Sequence, residues 1–317
     1  MDSIYGKKII SGQMDEKHLY RIREASGGKE PAIMGYDFYG LKPGGSHGDT
    51  EKARKWVKEK GGIATFCWHW SYPGGGGDFY DKNFDLPKAL ADTTQGIGKA
   101  LVNDIHAAAG EFKKLSDAGV PVLWRPVHEA EGGWFWWGAK GRDPLIALYR
   151  LWFDILVKQH KLNNLIWVWT SYAGEHQGNW YPGDDVVDLI VYDYPTAGVH
   201  YSKFQNMFGN HKMFGAGEVG ELPDPAKFSQ DPWLYFLCWD YMILEPWEKD
   251  DQNRAGKNWK SWIYTVYNDS KTITLDQVPK YMENPTQIQY PRTWKQARWK
   301  LSNRRETTWN LLGQDMR

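Results

Sequence analysis

Two glutamates stand where this chain could do chemistry. Glu129 sits in WRPVHEAEGGWFWWG (residues 124–138) and Glu218 in GAGEVG (residues 215–220). Each follows or closes a short apolar run, VPVLWRP (120–126) and KMFGAGE (212–218). Two carboxyl groups flanking one glycosidic bond can cleave it. One protonates the leaving oxygen, and the other attacks carbon or activates water. This chemistry needs no metal and no cofactor. The aromatic surroundings of Glu129 suit it. Apolar walls raise the pKa of a nearby carboxyl, so that it can serve as an acid near neutral pH. Indole faces are also platforms for the apolar side of a sugar ring.

A competing reading makes each glutamate a structural ion pair with a neighbouring Arg or His. It weakens when two such glutamates share one rim with Trp and Tyr between them. Glu131, Glu175, Glu221 and Glu245 read as solvated loop charges. Other chemistries lack their patterns. There is no GxSxG elbow, HExxH pair or EF-hand loop, and no GxGxxG or GxxxxGK[ST] phosphate loop. Cys67 and Cys238 form neither CxxC nor a Cys/His cluster at metal-ligand spacing, so two free, buried thiols are expected and no structural zinc.

Eight short apolar runs could position these residues: 7–13, 31–38, 61–70, 120–126, 164–170, 186–194, 212–218 and 234–241. Near-continuous apolar runs suit strands buried on both faces. Helical patterns lie between them. Ile97, Leu101, Ile105, Ala108, Phe112 and Leu115 form one stripe, and Tyr149, Trp152, Phe153 and Leu156 another. Residues 50–60 read as a helix with Thr50 as its cap, while Gly61 and Gly119 fall where helix C-terminal glycines belong. Alternation of this kind predicts an α/β fold, a single (β/α)8 TIM barrel. Barrel function collects at the C-terminal strand ends. The third run ends in Trp68, His69 and Trp70, and the fourth leads to Arg125, His128 and Glu129. The sixth ends in Tyr192, Asp193 and Tyr194, the seventh in Glu218, and the eighth in Trp239 and Asp240.

Composition narrows the partners. The 39 basic and 39 acidic residues cancel, which argues against nucleic acid. No apolar run approaches a membrane span. An excess of 19 Trp and 18 Tyr is mainly core and supports carbohydrate binding weakly. Residues 1–284 are expected to form the catalytic barrel. Residues 285–317 form a C-terminal extension, with seven Lys/Arg against two Asp/Glu, packed on its outside. The opening MDSIYGKKII has no charged n-region before an apolar h-region. The protein is therefore expected either to be cytoplasmic or to be exported with its leader outside this chain. Oligomeric state is open.

These residues resemble a known family. WRPVHEAEGGWFWWG is similar to the RPxHExxGxWFWWG signature of glycoside hydrolase family 26, the β-mannanase family. KKIISGQ, PAIMGYDF, ATFCWHW, LIWVWTSYAGEHQGNWYPGDDVVD, GAGEVG and WIYTVYNDSKTITLDQVP resemble further stretches of it, over roughly residues 7–280. The resemblance implies a retaining double displacement on β-1,4-mannan or manno-oligosaccharides. It makes Glu129 the general acid/base and Glu218 the nucleophile. His128 would help organise the nucleophile and the reacting sugar, and Arg125 would support the nucleophile's charge. His69 and Trp134 would line the cleft, and Trp239 would stack under the reacting sugar. The family often reads D-x-Y at the sixth strand end, where Tyr bonds the nucleophile. Here the text is VYDYP, so Tyr194, with Tyr192 as the alternative, is expected in that place. Within the family, mixed-linkage β-glucan, β-1,3-xylan and exo attack remain open. Outside it, the rival is a non-catalytic carbohydrate-binding barrel.

Overall fold

The computed structural model describes residues 4–171, 179–194, 201–209, 212–239 and 260–278, with the side chain of Tyr194 excepted. The expected extension 285–317 lies outside these residues, as do Asp240, Glu175 and Glu245.

Eight parallel strands close into a barrel in chain order. They are β2 (Gly12–Met14), β3 (Ile33–Asp37), β4 (Ile63–Cys67), β5 (Val122–Trp124), β6 (Leu165–Ser171), β7 (Leu189–Tyr194), β8 (Met213–Val219) and β9 (Phe236–Cys238). All eight lie within the apolar runs read from the sequence, give or take a terminal residue. The first run divides, however. β1 (Ile9–Ile10) leaves the barrel to pair with β10 (Thr272–Ile273), and β2 resumes after Ser11. Ser11 makes the junction: its N–H and Oγ both donate to Ile273 O, at 3.0 and 2.7 Å.

Side chains alternate across each strand. Cys67, Leu123, Val168, Val191, Tyr235 and Leu237 fill the barrel interior. Phe66, Trp124, Trp167, Ile190 and Phe214 face the helices. Helices α1 (Leu19–Ser26), α2 (Gly48–Lys58), α3 (Leu86–Ala91) and α4 (Gly96–Asp117) lie between β2 and β5 in the chain, and α4 buries Leu101, Ile105, Ala108, Phe112 and Leu115 as its stripe predicts. α5 (Arg142–Phe153) buries Tyr149 and Trp152, then widens into a π turn over Asp154–Gln159. The helix before β4, α2 (Gly48–Lys58), starts earlier than expected. His47 caps it, its Nδ1 accepting from Asp49 N–H, and Thr50 is not the cap. Thr50 lies inside the helix, and its hydroxyl donates to Glu111 of α4 at 2.5 Å. Gly61 and Gly119 take φ of 76° and 67°, the left-handed conformation that ends a helix. Both cysteines are free and buried.

Candidate active site

The C-terminal strand ends bring the expected residues together. Arg125 directly follows β5, points into the barrel and is fully buried. Its Nη2 donates to Glu218 Oε1 and its Nη1 to Asp193 Oδ2, each at 2.5 Å. Burial alone would lower the Arg125 pKa, but the two carboxylates outweigh it and hold the guanidinium protonated. Breaking such a buried pair by removing one partner costs about 3–5 kcal/mol. One oxygen each of Glu129, Asp193 and Glu218 lie within 4.8 Å of one another. Three carboxylates so close could attract a cation, and Arg125 supplies that charge to two of them.

Glu218 reaches this cluster through an irregularity. Phe214 and Ala216 of β8 pack toward the helices. Strict alternation would send Glu218 the same way. Instead the β7–β8 register shifts, so that Tyr192 faces Ala216 while Asp193 faces Glu218. Gly217 is the extra residue of this bulge. A Cβ there would sit 2.3 Å from Asp193 Oδ1 and 2.5 Å from Val191 Cγ2. Only glycine lets the ion cluster and the bulge coexist.

Glu129 is set by strain and by tryptophans. Val127 and Glu129 have φ of 48° and 52°, on either side of His128. Left-handed backbone at non-glycine residues costs about 1–3 kcal/mol each and needs surrounding structure to hold it. The tryptophan-rich stretch does this. Trp137 Nε1 donates to His128 O at 2.8 Å, and Trp136 Nε1 to Trp70 O at 2.6 Å. Trp134 Nε1 donates to Glu129 Oε2 at 2.9 Å. Trp124, Trp136 and Trp137 are fully buried, so they are not sugar platforms; only Trp134 in this stretch stays half-buried. Burial, then the charge of Glu218, pushes the Glu129 carboxyl up to about 7, against the pull of the Trp134 bond.

The two histidines differ. The His69 ring is half-buried, its centroid 5.8 Å from that of Trp239, which follows β9. His128 is fully buried, so in this structure it offers no surface to a sugar. Its Nε2 faces His69 Nε2 at 3.3 Å, and burial, then His69 and Arg125, holds its imidazole well below the usual range. Tyr192 turns outward against Phe204 and Trp233, with centroids 5.9 and 4.9 Å away, which removes it as a partner of Glu218. The Tyr194 side chain lies outside the described residues. Glu131 is buried rather than solvated and accepts from Ser171 Oγ at 3.1 Å.

Two residues were missed by reading the sequence for chemistry. Asp193 appeared only as a strand end, yet it completes the Arg125 cluster. Asp37 was not singled out, yet its Oδ2 lies 2.5 Å from His69 Nδ1. Each had a signal, an aspartate near the end of an apolar run.

The family model described as glycosyl hydrolase family 26 matches residues 1–277. The chain belongs to this family. A mannan endo-1,4-beta-mannosidase of Thermothelomyces thermophilus is 38% identical, over 89% of this chain and 60% of the relative. Mannan endo-1,4-beta-mannosidase A of Piromyces sp is 31% identical, over 87% of this chain and 47% of that protein. The chain thus spans about half to three-fifths of these relatives. Among solved structures, the Podospora anserina GH26-CBM35 beta-(1,4)-mannanase aligns with TM-score 0.76 and 36% identity, over 87% of this chain and 64% of that one. A beta-mannanase from a symbiotic protist of the termite Reticulitermes speratus, complexed with gluco-manno-oligosaccharide, aligns with TM-score 0.77 and 33% identity. That match covers 88% of this chain and 92% of the other. Glycoside hydrolase family 26 members with this architecture share the (β/α)8 barrel described above.

Proposed function

We propose that this protein is a retaining endo-β-1,4-mannanase acting on mannan, glucomannan or galactomannan and their oligosaccharides. The observation that carries the mechanism is the closeness of Glu129 and Glu218, with carboxylate oxygens within 4.8 Å. Retaining enzymes hold their carboxyl groups about 5–5.5 Å apart, while inverting ones need about 6.5–9.5 Å to admit a water. The two environments also separate the roles. Glu218 is bonded to the Arg125 cation, which suits an ionised nucleophile. Glu129 is half-buried beside another carboxylate and keeps its proton to about 7, which suits an acid.

In this reading Glu218 attacks the anomeric carbon while Glu129 protonates the departing glycosidic oxygen. The C–O bond to the leaving sugar breaks and a glycosyl ester of Glu218 forms. Water then attacks the same carbon, Glu129 takes its proton, and Glu218 leaves as carboxylate. Trp134 holds Glu129 in place, and Trp239 and His69 border the reacting ring. The mannan preference rests on the relatives, whose names include mannan endo-1,4-beta-mannosidase. Among the described residues no helix is long and apolar enough to cross a membrane. A polymer substrate is met outside the cell, so we place the working enzyme there.

The test is a product assay on glucomannan, galactomannan, linear mannan, lichenan and β-1,3-xylan, with the anomer of the first product read by NMR. Mixed manno-oligosaccharides released early as the β-anomer are expected. Release of mannobiose alone would replace endo with exo attack. Activity confined to lichenan or β-1,3-xylan would overturn the substrate, and initial α-anomer would overturn the mechanism. Inactivity on every polymer would leave a carbohydrate-binding barrel.

A further inference from the structure

We propose that Asp37 is a positioning residue of this site. Its carboxylate clamps the main chain and the ring of His69 together, and so decides how that ring faces and what charge it presents to Glu129. The inference rests on the two-glutamate reading above and deepens it.

Asp37 ends β3 and pairs in register with Cys67, two residues before His69. Its carboxylate is committed to protein groups. Oδ1 accepts from the backbone N–H of His69 and of Tyr39, both at 2.9 Å. Oδ2 lies 2.5 Å from His69 Nδ1. The Asp37 N–H donates to Asp49 Oδ2 at 3.3 Å, which ties the strand end to α2. Asp37 thus reaches the reaction through His69.

The clamp settles the tautomer. An ionised carboxylate only accepts, so Nδ1 of His69 carries a proton. Nε2 then points to His128 Nε2 at 3.3 Å. His128 is fully buried and its imidazole is held neutral, so any extra proton of the pair resides on His69. The titratable groups facing His69 are Asp37 from β3, Cys67 from β4, His128 and Glu129 from the turn after β5, and Glu218 from β8; Cys67 Sγ lies within 4.8 Å of ring nitrogens of His69 and His128, and burial pushes its thiol up and keeps it neutral. The rings of Phe79, Phe135 and Trp239, with centroids at 5.1, 5.7 and 5.8 Å, form uncharged walls. Burial pulls the His69 imidazole down, but the bond and charge of Asp37 outweigh it and the net shift is upward. An imidazolium there favours the carboxylate that Glu129 becomes as its proton leaves for the glycosidic oxygen. The same cation pulls Glu129 downward, against burial and Glu218.

Asp37→Asn is nearly isosteric and offers Nδ1 a donor in place of an acceptor. The expected result is a fall in kcat/KM of roughly 10–100-fold, carried by kcat more than KM. The basic limb of the kcat/KM profile should move up by about 0.5–1 pH unit, because Glu129 loses a nearby cation. Nitrogen-15 NMR of the histidine rings should show the His69 midpoint above the ordinary value of about 6.5 in the parent and below it in the variant. Asp37→Glu keeps the charge and displaces it, so it should retain the parent's limb while kcat falls. His69→Asn should shift the limb as Asp37→Asn does, and the double variant should shift it no further. A folded Asp37→Asn protein with the parent's limb and His69 midpoint would overturn the proposal. If Asp37→Asn does not fold, a parent His69 midpoint at or below the ordinary value overturns it. If the parent hydrolyses no β-mannan, the two-glutamate reading fails instead, and the NMR midpoints still decide the Asp37–His69 link.

Discussion

Replacing Glu218 by Gln removes one negative charge from beside Glu129 and leaves the volume of the side chain almost unchanged. The two carboxylates have oxygens within 4.8 Å. At an effective dielectric constant of roughly 20–40, unit charges at that distance interact by about 1.7–3.5 kcal/mol, or roughly 1–2.5 pKa units. Arg125 keeps its charge in the variant and, with one carboxylate fewer to neutralise it, pulls Glu129 further the same way. Burial, the largest cause of the upward shift, remains. Glu129 should therefore titrate about 1–2 units below its parent value of about 7, yet still above the ordinary carboxyl. The assay is carbon-13 NMR titration of side-chain carboxyls in labelled Glu218→Gln protein, with Glu129→Gln in the same background to assign the signal. Hydrolysis should be lost at least about 10³-fold. A Glu129 midpoint that stays near 7 would rule this coupling out, because burial alone would then hold the proton. The effect also bears on turnover. When Glu218 becomes an ester its charge vanishes in the same way, and Glu129 is released to act as base for the second step.

Other perturbations probe the supports. In the parent, kcat/KM should fall as pH rises through about 7, because Glu129 must be protonated to act as acid; a pH profile on soluble glucomannan checks this. Gly217→Ala would bring a Cβ to 2.3 Å from Asp193 Oδ1, so it should destabilise the fold by about 2–4 kcal/mol in urea titrations and lower kcat at least tenfold. Trp137→Phe loses the bond to His128 O but keeps most of the buried ring; about 1–3 kcal/mol of stability should go, with kcat reduced more than KM because the strained turn carrying Glu129 relaxes. Burial pushes Asp104 up to about 6 despite its bond from Trp70 Nε1, so the folded chain binds this proton more tightly than the unfolded one. Its stabilising effect is full below about 3.8 and is lost as pH rises through 6. Asp104→Asn should therefore add roughly 1–2 kcal/mol at pH 7 and no more than a few tenths at pH 4, as read by denaturant unfolding at both values.

Much of this architecture is legible in the chain. Strands buried on both faces must be apolar throughout, and helices packed on one side must carry a stripe. Local patterning thus locates the eight strands, α4 and α5 without tertiary information. The run around Glu129 is dense in rare residue types, so its chemistry and its relatives are visible in fifteen letters. The split of the first run at Ser11 is not visible, because the partner that draws β1 away, Ile273, is distant in sequence. The early start of α2 is hidden for a related reason: Thr50 looks like a cap until Glu111 of α4 takes its hydroxyl.

Within the site, the order of residues along the chain already places two carboxylates at strand ends and indoles around one of them. The direction in which each points is set by the folded neighbours. A period of two places Glu218 on the helix side of β8, and the bulge at Gly217, where the close approach of Asp193 leaves no room for a Cβ, turns it inward to Arg125. Composition likewise cannot separate a tryptophan that stacks on sugar from one that holds a strained turn. Trp136 and Trp137 prove to be the second kind, because their N–H groups found backbone carbonyls across the fold. Orientation and charge are properties of neighbours brought together from β3, β5, β7 and β8, and no local window of sequence contains those neighbours.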